Sequence, residues 1–346
     1  MFRDEFYMRR CLQLARRGAG QVSPNPMVGA VLVCDGCIIG EGYHRRCGEA
    51  HAEVNAINAV KDDSLLSRST LYVSLEPCSH YGKTPPCAEL IIRKNIPRVV
   101  VGCLDPFEKV SGRGVRMLRS AGIEVVTGIL EQECKDLNRF FMFAQIRKTP
   151  YVILKWAQSA DGYIDRKRDE REPAETFSSP VTATLVHKLR SEVDAICVGT
   201  GTARLDNPLL NVRRWSGKSP LRIVFDRQRV LPAYLKLFTD GLPTRVLTEV
   251  EAENFGNVQF WKSDVKKLSL ESWLKILFEH GIQSLLVEGG ASLLQSFINE
   301  GCWNEARVEV SEKRIRDGVA APLLSGFPSH IQSFDETKIC CFLNKR

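Results

Sequence analysis

The chain has 346 residues, of which 44% are hydrophobic and 26% are charged, and its formal net charge is +7. This composition excludes disordered and fibrous classes, and the apolar runs are too short for a transmembrane helix of about 20 residues. The length exceeds that at which one hydrophobic core stops growing, so we expect two domains. The mild positive charge suits an anionic substrate or cofactor, and no dense Lys/Arg run indicates nucleic-acid binding.

The first 20 residues, MFRDEFYMRRCLQLARRGAG, are charged and amphipathic and lack the uninterrupted apolar core of a signal peptide. The 12 cysteines are scattered along the chain. We therefore expect reduced thiols and a cytoplasmic protein. Cys34 and Cys37 flank an Asp-Gly turn between two apolar runs, so we interpret this C-x-x-C as part of a hairpin rather than a metal knuckle.

Helices and apolar strands alternate along the first half of the chain. The pattern predicts, in chain order, a helix ending at Gly18, strands at 28–34 and 37–43, a helix at 51–60, a strand at 71–75, a helix at 87–95, a strand at 98–104, a helix at 112–122, a strand at 123–129 and one long amphipathic helix at 133–148. This alternation indicates a three-layer α/β sandwich.

The second half begins after Lys148-Thr149-Pro150 and repeats the alternation. It predicts a strand at 151–157, a helix at 180–191 opened by Ser178-Ser179-Pro180, strands at 194–199, 222–226 and 244–248, a helix at 269–281, a strand at 282–290 and a helix at 291–301. Residues 165–176, DRKRDEREPAET, are dense in charge, and we interpret them as a solvated surface loop.

Three residues with metal-binding side chains occupy the ends of predicted elements. His51 opens a helix, Cys78 follows a strand, and Cys87 opens the next helix after Pro85-Pro86. One imidazole and two thiolates would leave zinc a fourth position for water, as in catalytic sites. Glu53, two residues after His51, is then placed as the general base that takes the water proton and delivers it to a substrate nitrogen.

The pattern matches most of the signature of zinc nucleobase deaminases, H-x-E followed by P-C-x-x-C. The second cysteine departs from it, because Cys87 follows Cys78 by nine positions instead of three. The alternative is two unrelated buried cysteines and a hydrogen-bonded structural histidine. A lone His-Ala-Glu would favour that alternative, whereas its combination with Pro77-Cys78 and a Pro-Pro-Cys helix start favours the metal site.

Several segments resemble the bifunctional riboflavin-biosynthesis deaminase/reductase family. They are SPNPMVGAVLV at 23–33, GEGYHRRCGEAHAE at 40–53, PCSHYGKTPPC at 77–87 and DPFEKVSGRGVRMLRSAGIEV at 105–125. Phe107 departs from the family's usual Asn. The resemblance implies that His51, Cys78 and Cys87 bind zinc and that Glu53 shuttles protons. It also implies that the substrate is held by Asn25, His44, His80, Lys83 and Thr84.

The second half lacks the G-x-G-x-x-G dinucleotide fingerprint. VEGGASLLQS at 287–296 is a strand, a Gly-Gly turn and a helix start, which is either an anion site or a structural turn. LKWAQSADGYI at 154–164 and the block at 186–213 resemble the reductase half of the same family. This resemblance implies a dihydrofolate-reductase-like fold with NADPH contacts at Ala157, Thr202, Asp206, Gly290, Ala291, Ser292, Leu293, Leu294, Gln295 and Ser296, and sugar-phosphate contacts at Arg190, Leu210, Arg213 and Glu288.

Two segments of the second half depart from the family pattern. The segment AETFSSP at 174–180 lacks the usual tryptophan, and the tail at 303–326 keeps only a loose likeness. We therefore expect the family fold in the tail but assign no residue roles there. No side chain of this half is an obvious general acid for a reduction.

The resemblance implies an α/β protein with two domains. We expect a cytidine-deaminase-like, zinc-dependent deaminase with three α/β/α layers at 1–147, and an NADPH-dependent reductase with an α/β fold at 148–346. The expected substrate is a pyrimidine ribotide, which is deaminated and then reduced from ribosyl to ribityl. The expected partners exclude nucleic acid and membrane, and the expected assembly is a homo-oligomer.

Two alternatives stay open at this point. One is a base, nucleoside or polynucleotide deaminase whose second domain is inactive, differently specific or unrelated. The other is a binding or regulatory module in which zinc has a structural role only.

Overall fold

The structure is a computed structural model that describes residues 2–81, 85–106, 111–170, 172–263 and 268–344. The chain divides into two compact units, Met1–Lys148 and Thr149–Arg346. The division lies one residue after the expected boundary at 147. Within the described ranges, no helix combines the length and the apolar character needed to cross a membrane.

The first unit contains one sheet and six α-helices in its described part. The strands are β1 (Gly29–Cys34), β2 (Cys37–Tyr43), β3 (Thr70–Leu75), β4 (Arg98–Cys103) and β5 (Glu124–Thr127). The helices are α1 (Phe2–Ala15), α2 (Ala52–Asn58), α3 (Cys87–Arg93), α4 (Arg113–Ser120), α5 (Glu131–Leu137) and α6 (Arg139–Arg147).

The sheet of the first unit lies between two layers of helices. The strand order is β2-β1-β3-β4-β5, with β1 antiparallel to both neighbours and β3, β4 and β5 parallel. One hydrophobic core joins the sheet to α2, α3 and α4, and the other joins it to α1, α5 and α6. The apolar residues of β1 alternate between these cores, as the two-residue period of a strand requires. The predicted three-layer arrangement is confirmed.

The structure bears on the predicted hairpin turn and on the predicted long helix of this unit. Asp35 and Gly36 both have positive φ, 49° and 81°, which is the backbone of the tight hairpin turn predicted between Cys34 and Cys37. The prediction of one long helix at 133–148 is wrong, because α5 and α6 are separated at Asn138. The Asn138 side chain bonds the backbone of Met27, accepting from its N–H at 2.8 Å and donating to its carbonyl at 2.9 Å.

The second unit contains a larger sheet. Its strands are β6 (Tyr151–Gln158), β7 (Tyr163–Asp165), β8 (Ala195–Gly199), β9 (Leu221–Phe225), β10 (Thr244–Thr248), β11 (Val258–Lys262), β12 (Ser284–Val287), β13 (Glu305–Ser311), β14 (Val319–Ala320), β15 (His330–Phe334) and β16 (Thr337–Leu343). Its helices are α7 (Pro180–Glu192), α8 (Thr200–Asp206), α9 (Lys236–Thr239), α10 (Leu270–Glu279) and α11 (Ala291–Asn299).

Nine strands form the main sheet of this unit in the order β11-β10-β9-β8-β12-β6-β13-β16-β15. The seven strands from β11 to β13 are parallel, and β16 and β15 extend the sheet in antiparallel pairing. A core that includes Trp273 and Phe297 packs α10 and α11 on one face. Ligand sites in parallel sheets lie beyond the carboxyl ends of the strands. In this sheet, we expect the site beyond the carboxyl ends of β6, β8, β12 and β13.

Candidate active sites

Three metal-ligating side chains meet in the first unit. His51 Nδ1 lies 3.5 Å from Cys78 Sγ and 3.3 Å from Cys87 Sγ, and the three ligand atoms lie within 4.8 Å of one another. Tetrahedral zinc, with Zn–N near 2.0 Å and Zn–S near 2.3 Å, separates a nitrogen and a sulfur ligand by about 3.5 Å. The donors therefore have the spacing and the chemistry of zinc ligands.

Each of these residues is placed by the end of a secondary-structure element. His51 is the extended N-cap residue of α2, Cys78 lies three residues beyond β3, and Cys87 is the first residue of α3. The Cys87 N–H donates to Cys78 Sγ at 3.2 Å, and the Ala88 N–H donates to the Cys78 carbonyl at 3.1 Å. These bonds close the long gap between the two cysteines and bring both sulfurs to one point.

The cluster carries a thiolate at Cys78. Hydrogen bonds from Cys87 and His51 lower the pKa of Cys78 to about 4, against the opposing effect of burial. The hydrogen bond to Cys78 raises the pKa of His51 to about 9. A thiolate is the metal-binding form of cysteine, so Cys78 is prepared as a ligand at neutral pH.

Glu53 lies beside the cluster in the first turn of α2. Its side chain is almost fully buried and lies close to the Cys87 thiol. Burial, followed by the negative charge of Cys78, raises the pKa of Glu53 to about 7. A carboxyl group with this pKa can both accept and donate a proton near neutral pH.

The expected substrate residues Asn25 and His44 contact each other next to the cluster. The Asn25 side-chain amide donates to His44 Nε2 at 3.1 Å, and His44 Nδ1 donates to the Ala50 carbonyl at 3.1 Å. Burial lowers the pKa of His44, so the ring is neutral. The His44 and His51 rings meet edge to face with centroids 5.5 Å apart. The structure therefore brings Asn25 and His44 to the candidate metal site.

The remaining expected substrate residues belong to the loop between Cys78 and Cys87. His80 is exposed two residues after Cys78. Lys83 and Thr84 lie outside the described residues.

Glu76 is a buried carboxylate that sequence reasoning missed. Its oxygens accept hydrogen bonds from the backbone N–H groups of Gly112 at 2.9 Å, Val115 at 3.2 Å and Asp105 at 3.3 Å. Gly112 is the N-cap of α4, so Glu76 caps this helix from the segment that carries Cys78. Only its position two residues before a candidate ligand could have drawn attention to it.

In the second unit, Arg190 and Glu288 form a buried ion pair. Arg190 Nε and a terminal nitrogen donate to the two Glu288 oxygens at 2.9 and 2.6 Å, and the other terminal nitrogen donates to the Asn211 carbonyl at 3.1 Å. The Arg190 charge lowers the pKa of Glu288 against the effect of burial. The structure thus brings together two of the four expected sugar-phosphate residues.

Arg213 extends this cluster, and Leu210 precedes Asn211, whose carbonyl accepts from Arg190. The Arg213 N–H donates to Nδ1 of buried His187 at 3.2 Å, and the Arg190 and Arg213 charges add to burial in lowering the pKa of His187 to about 4. Leu210 is buried with a positive φ of 50°. Two guanidinium groups beside a neutral imidazole are suited to an anionic substrate.

The expected cofactor residues divide into two groups. Thr202 packs against the Gly-Gly turn, because a Cβ added to Gly289 or Gly290 would lie 3.0 Å from its side chain. Gly290 has a positive φ of 62° and is the N-cap of α11, whose first residues are Ala291 to Ser296. Thr202 and the α11 start are therefore together, whereas Ala157 lies on β6.

Asp206 bonds to Arg168, a residue of the predicted surface loop at 165–176. Only 2% of the Arg168 side chain is exposed, because it lies in ion pairs with Asp165 and Asp206. The prediction of a solvated surface loop is therefore wrong at Arg168. Arg168 and Thr200 are among the residues that line a cavity of about 660 Å³ between the loop and α8.

Comparison with known proteins assigns both units. Residues 1–103 match the family model of the cytidine and deoxycytidylate deaminase zinc-binding region, and residues 150–313 match that of the RibD C-terminal domain. The riboflavin biosynthesis protein RibD of Bacillus amyloliquefaciens is 41% identical over 332 residues, which cover 93% of this chain and 88% of the relative. The chain belongs to the RibD family.

Solved RibD structures agree over both units. A Thermotoga maritima structure described as a diaminohydroxyphosphoribosylaminopyrimidine deaminase/5-amino-6-(5-phosphoribosylamino)uracil reductase matches with a TM-score of 0.90 and 36% identity, covering 99% of each chain. RibD of Acinetobacter baumannii matches with a TM-score of 0.89 and 30% identity over 99% of each chain. The expected α/β fold is confirmed, and RibD proteins are bifunctional deaminase/reductase enzymes of riboflavin biosynthesis, as this chain is.

Proposed function

We propose that the chain catalyses two consecutive steps of riboflavin biosynthesis. The first is zinc-dependent hydrolytic deamination of 2,5-diamino-6-ribosylamino-4(3H)-pyrimidinone 5′-phosphate. The second is NADPH-dependent reduction of its ribosyl side chain, which gives 5-amino-6-ribitylamino-uracil 5′-phosphate. The observation that carries the proposal is the His51–Cys78–Cys87 cluster with the buried Glu53 carboxyl beside it.

In the deaminase unit, His51, Cys78 and Cys87 are the residues that would hold zinc, since their donor atoms have the separations of a tetrahedral site. Bound zinc supplies a Lewis acid that makes water a nucleophile at neutral pH. Glu53 acts as the general base and acid, taking the water proton and passing it to the leaving amino group. Water supplies the oxygen that replaces the amino group, and the amino group leaves as ammonia.

The substrate contacts of this unit are proposed from position and chemistry. Asn25 and His44 form one wall beside the candidate metal ligands. His80, Lys83 and Thr84 on the loop between the cysteines would contact the ribotide, since a lysine and small polar groups suit a phosphate.

In the reductase unit, Arg190, Leu210, Arg213 and Glu288 would bind the sugar phosphate, and two arginines are suited to its anionic group. The NADPH contacts are proposed at Ala157, Thr202, Asp206 and the α11 start from Gly290 to Ser296. Bound NADPH would supply the hydride that C1′ takes up as the C1′–O4′ bond breaks, and one proton would go to O4′. The nitrogen that joins C1′ to the pyrimidine neither gains nor loses a proton overall.

The free state of all 12 cysteines supports a cytoplasmic location. We also propose that the chain assembles as a homo-oligomer and has no nucleic-acid partner.

The decisive variant is Glu53→Gln, with Glu49→Gln on the exposed loop before α2 as its matched control. The Glu53 variant should lose deamination by about 10² to 10⁴-fold, keep its zinc, and still reduce the deaminated intermediate. Deamination at the rate of the parent would refute the role of Glu53. Loss of zinc would show that Glu53 serves as a ligand instead.

A further inference from the structure

Three charged side chains occupy one face of the second sheet at its centre. The pairing of β6 with β12 places Lys155 beside Glu288, the residue that follows β12. Glu309 on β13 pairs with Ala157, which lies two positions after Lys155 on β6. Side chains of paired residues project from the same face, and the direction alternates along each strand. Lys155, Glu288 and Glu309 therefore share a face, whereas Leu154 and Trp156 project into the hydrophobic core.

Glu309 is a buried carboxylate with one oxygen left without a hydrogen bond. Only 1% of its side chain is exposed. One oxygen accepts from Ser178 Oγ at 2.7 Å and lies 3.6 Å from Lys155 Nζ. The other oxygen, Oε1, has no partner among the described residues. Such groups are costly to bury, and their presence in a folded protein calls for an explanation.

The neighbouring carboxylate, Glu288, is already committed to Arg190 through two hydrogen bonds of 2.9 and 2.6 Å. Glu309 is therefore the carboxylate that remains for Lys155. A separation of 3.6 Å exceeds hydrogen-bond distance but keeps strong Coulomb attraction in a buried setting. No hydrogen bond joins Lys155 Nζ to any residue in the described ranges, so its N–H donors stay available while its charge is held in place.

A structural ion pair in the same unit has a different arrangement. The two terminal nitrogens of Arg222 donate to both Asp240 oxygens and to three backbone carbonyls, so both carboxylate oxygens are satisfied and only Arg222 Nε lacks a partner among the described residues. Lys155 and Glu309 instead keep unused donors and an unused acceptor beside the Arg190–Glu288 pair. This is the arrangement of a site that receives a polar ligand.

We propose that Glu309 is a positioning residue of the reductase site, which holds the Lys155 ammonium on the face where the ribosyl-pyrimidine substrate binds. The inference rests on the proposed reductase function and adds two residues to it. Ser178 supports the arrangement by fixing the carboxylate from the start of α7. Glu309 acts through Lys155 and not through a direct step in hydride transfer.

The test compares Glu309→Gln with Glu305→Gln, which changes a carboxylate on the same strand and face but in an ion pair with Arg307. The assay follows NADPH oxidation with the deaminated substrate and separates kcat from KM. A displacement of about 1 Å in a positioned group costs on the order of 10²-fold. We expect that loss in kcat/KM for Glu309→Gln, partial recovery in Glu309→Asp, and a change below about threefold for Glu305→Gln.

A double variant distinguishes action through Lys155 from a general structural effect. In a Lys155→Gln background, adding Glu309→Gln should change kcat/KM by less than about threefold, because the group it positions is gone. Multiplied losses, or parent activity in a folded Glu309→Gln, would overturn the inference. The melting temperature of the second unit reports its folding, unchanged deamination shows that the first unit is intact, and Ser178→Ala replaces Glu309→Gln if that variant fails to fold. A parent chain that reduces nothing would refute the proposed function and this inference with it.

Discussion

Replacement of Glu76 by alanine is expected to destabilise the first unit and its candidate metal site. The Glu76 carboxylate is buried and accepts three backbone hydrogen bonds, two of them from the start of α4. α4 also packs closely on the Cys78 segment, since a Cβ added to Gly114 would collide with the Pro77 carbonyl. The substitution therefore removes the anchor between α4 and the strand end that carries a proposed ligand.

The size of the effect follows from the contacts. A hydrogen bond to a charged group contributes about 1.5–3 kcal/mol, and the three share one carboxylate, so we expect a loss of about 4 kcal/mol. For a domain of this size that corresponds to a melting temperature lower by about 10 °C. Differential scanning calorimetry measures it, with zinc content determined in parallel, and Glu76→Gln should fall between parent and Glu76→Ala.

A shift below about 2 °C, with zinc content unchanged, would refute this account of Glu76. Reduction of the deaminated intermediate serves as the internal control, because the second unit is a separate compact body. Its rate should be unchanged at temperatures where both units are folded.

Two further predictions concern the second unit. Arg168→Ala should raise the KM for NADPH by about tenfold, because it leaves Asp165 and Asp206 without their shared cation. The rate of deamination should not change. An unchanged KM would argue against a cofactor role for Asp206. As the pH falls from 6.5 to about 4, the unfolded chain binds a proton at His187 but the folded chain does not. The free energy of unfolding should decrease by at most about 3 kcal/mol across this window, and His187→Asn should remove that contribution.

Much of the fold and of the first candidate site could be predicted from the sequence. Hydrophobic periodicity and turn residues mark the strands and helices, and the residues that meet at the metal cluster stand at element ends, where sequence signals are strongest. His51 at a helix N-cap and Cys87 after Pro85-Pro86 are examples. Resemblance to the family added roles that spacing alone does not give.

What the sequence could not predict depends on contacts between distant segments. The break at Asn138 follows from its bonds to Met27, 111 residues away. Arg168 has the sequence signal of a solvated charge, yet two acidic partners bury it. Glu309 lies in a tail with a loose family likeness, and only the pairing of β13 with β6 places it near Lys155.

The most direct test of the central claim is a coupled assay on the purified full chain with the 2,5-diamino pyrimidine ribotide. Ammonia release and NADPH oxidation are followed separately. We expect ammonia release without NADPH, and NADPH oxidation equal in amount to the ammonia already formed. Ammonia release with no NADPH oxidation, from the ribotide or from its deaminated form, would contradict the bifunctional assignment and leave a deaminase alone.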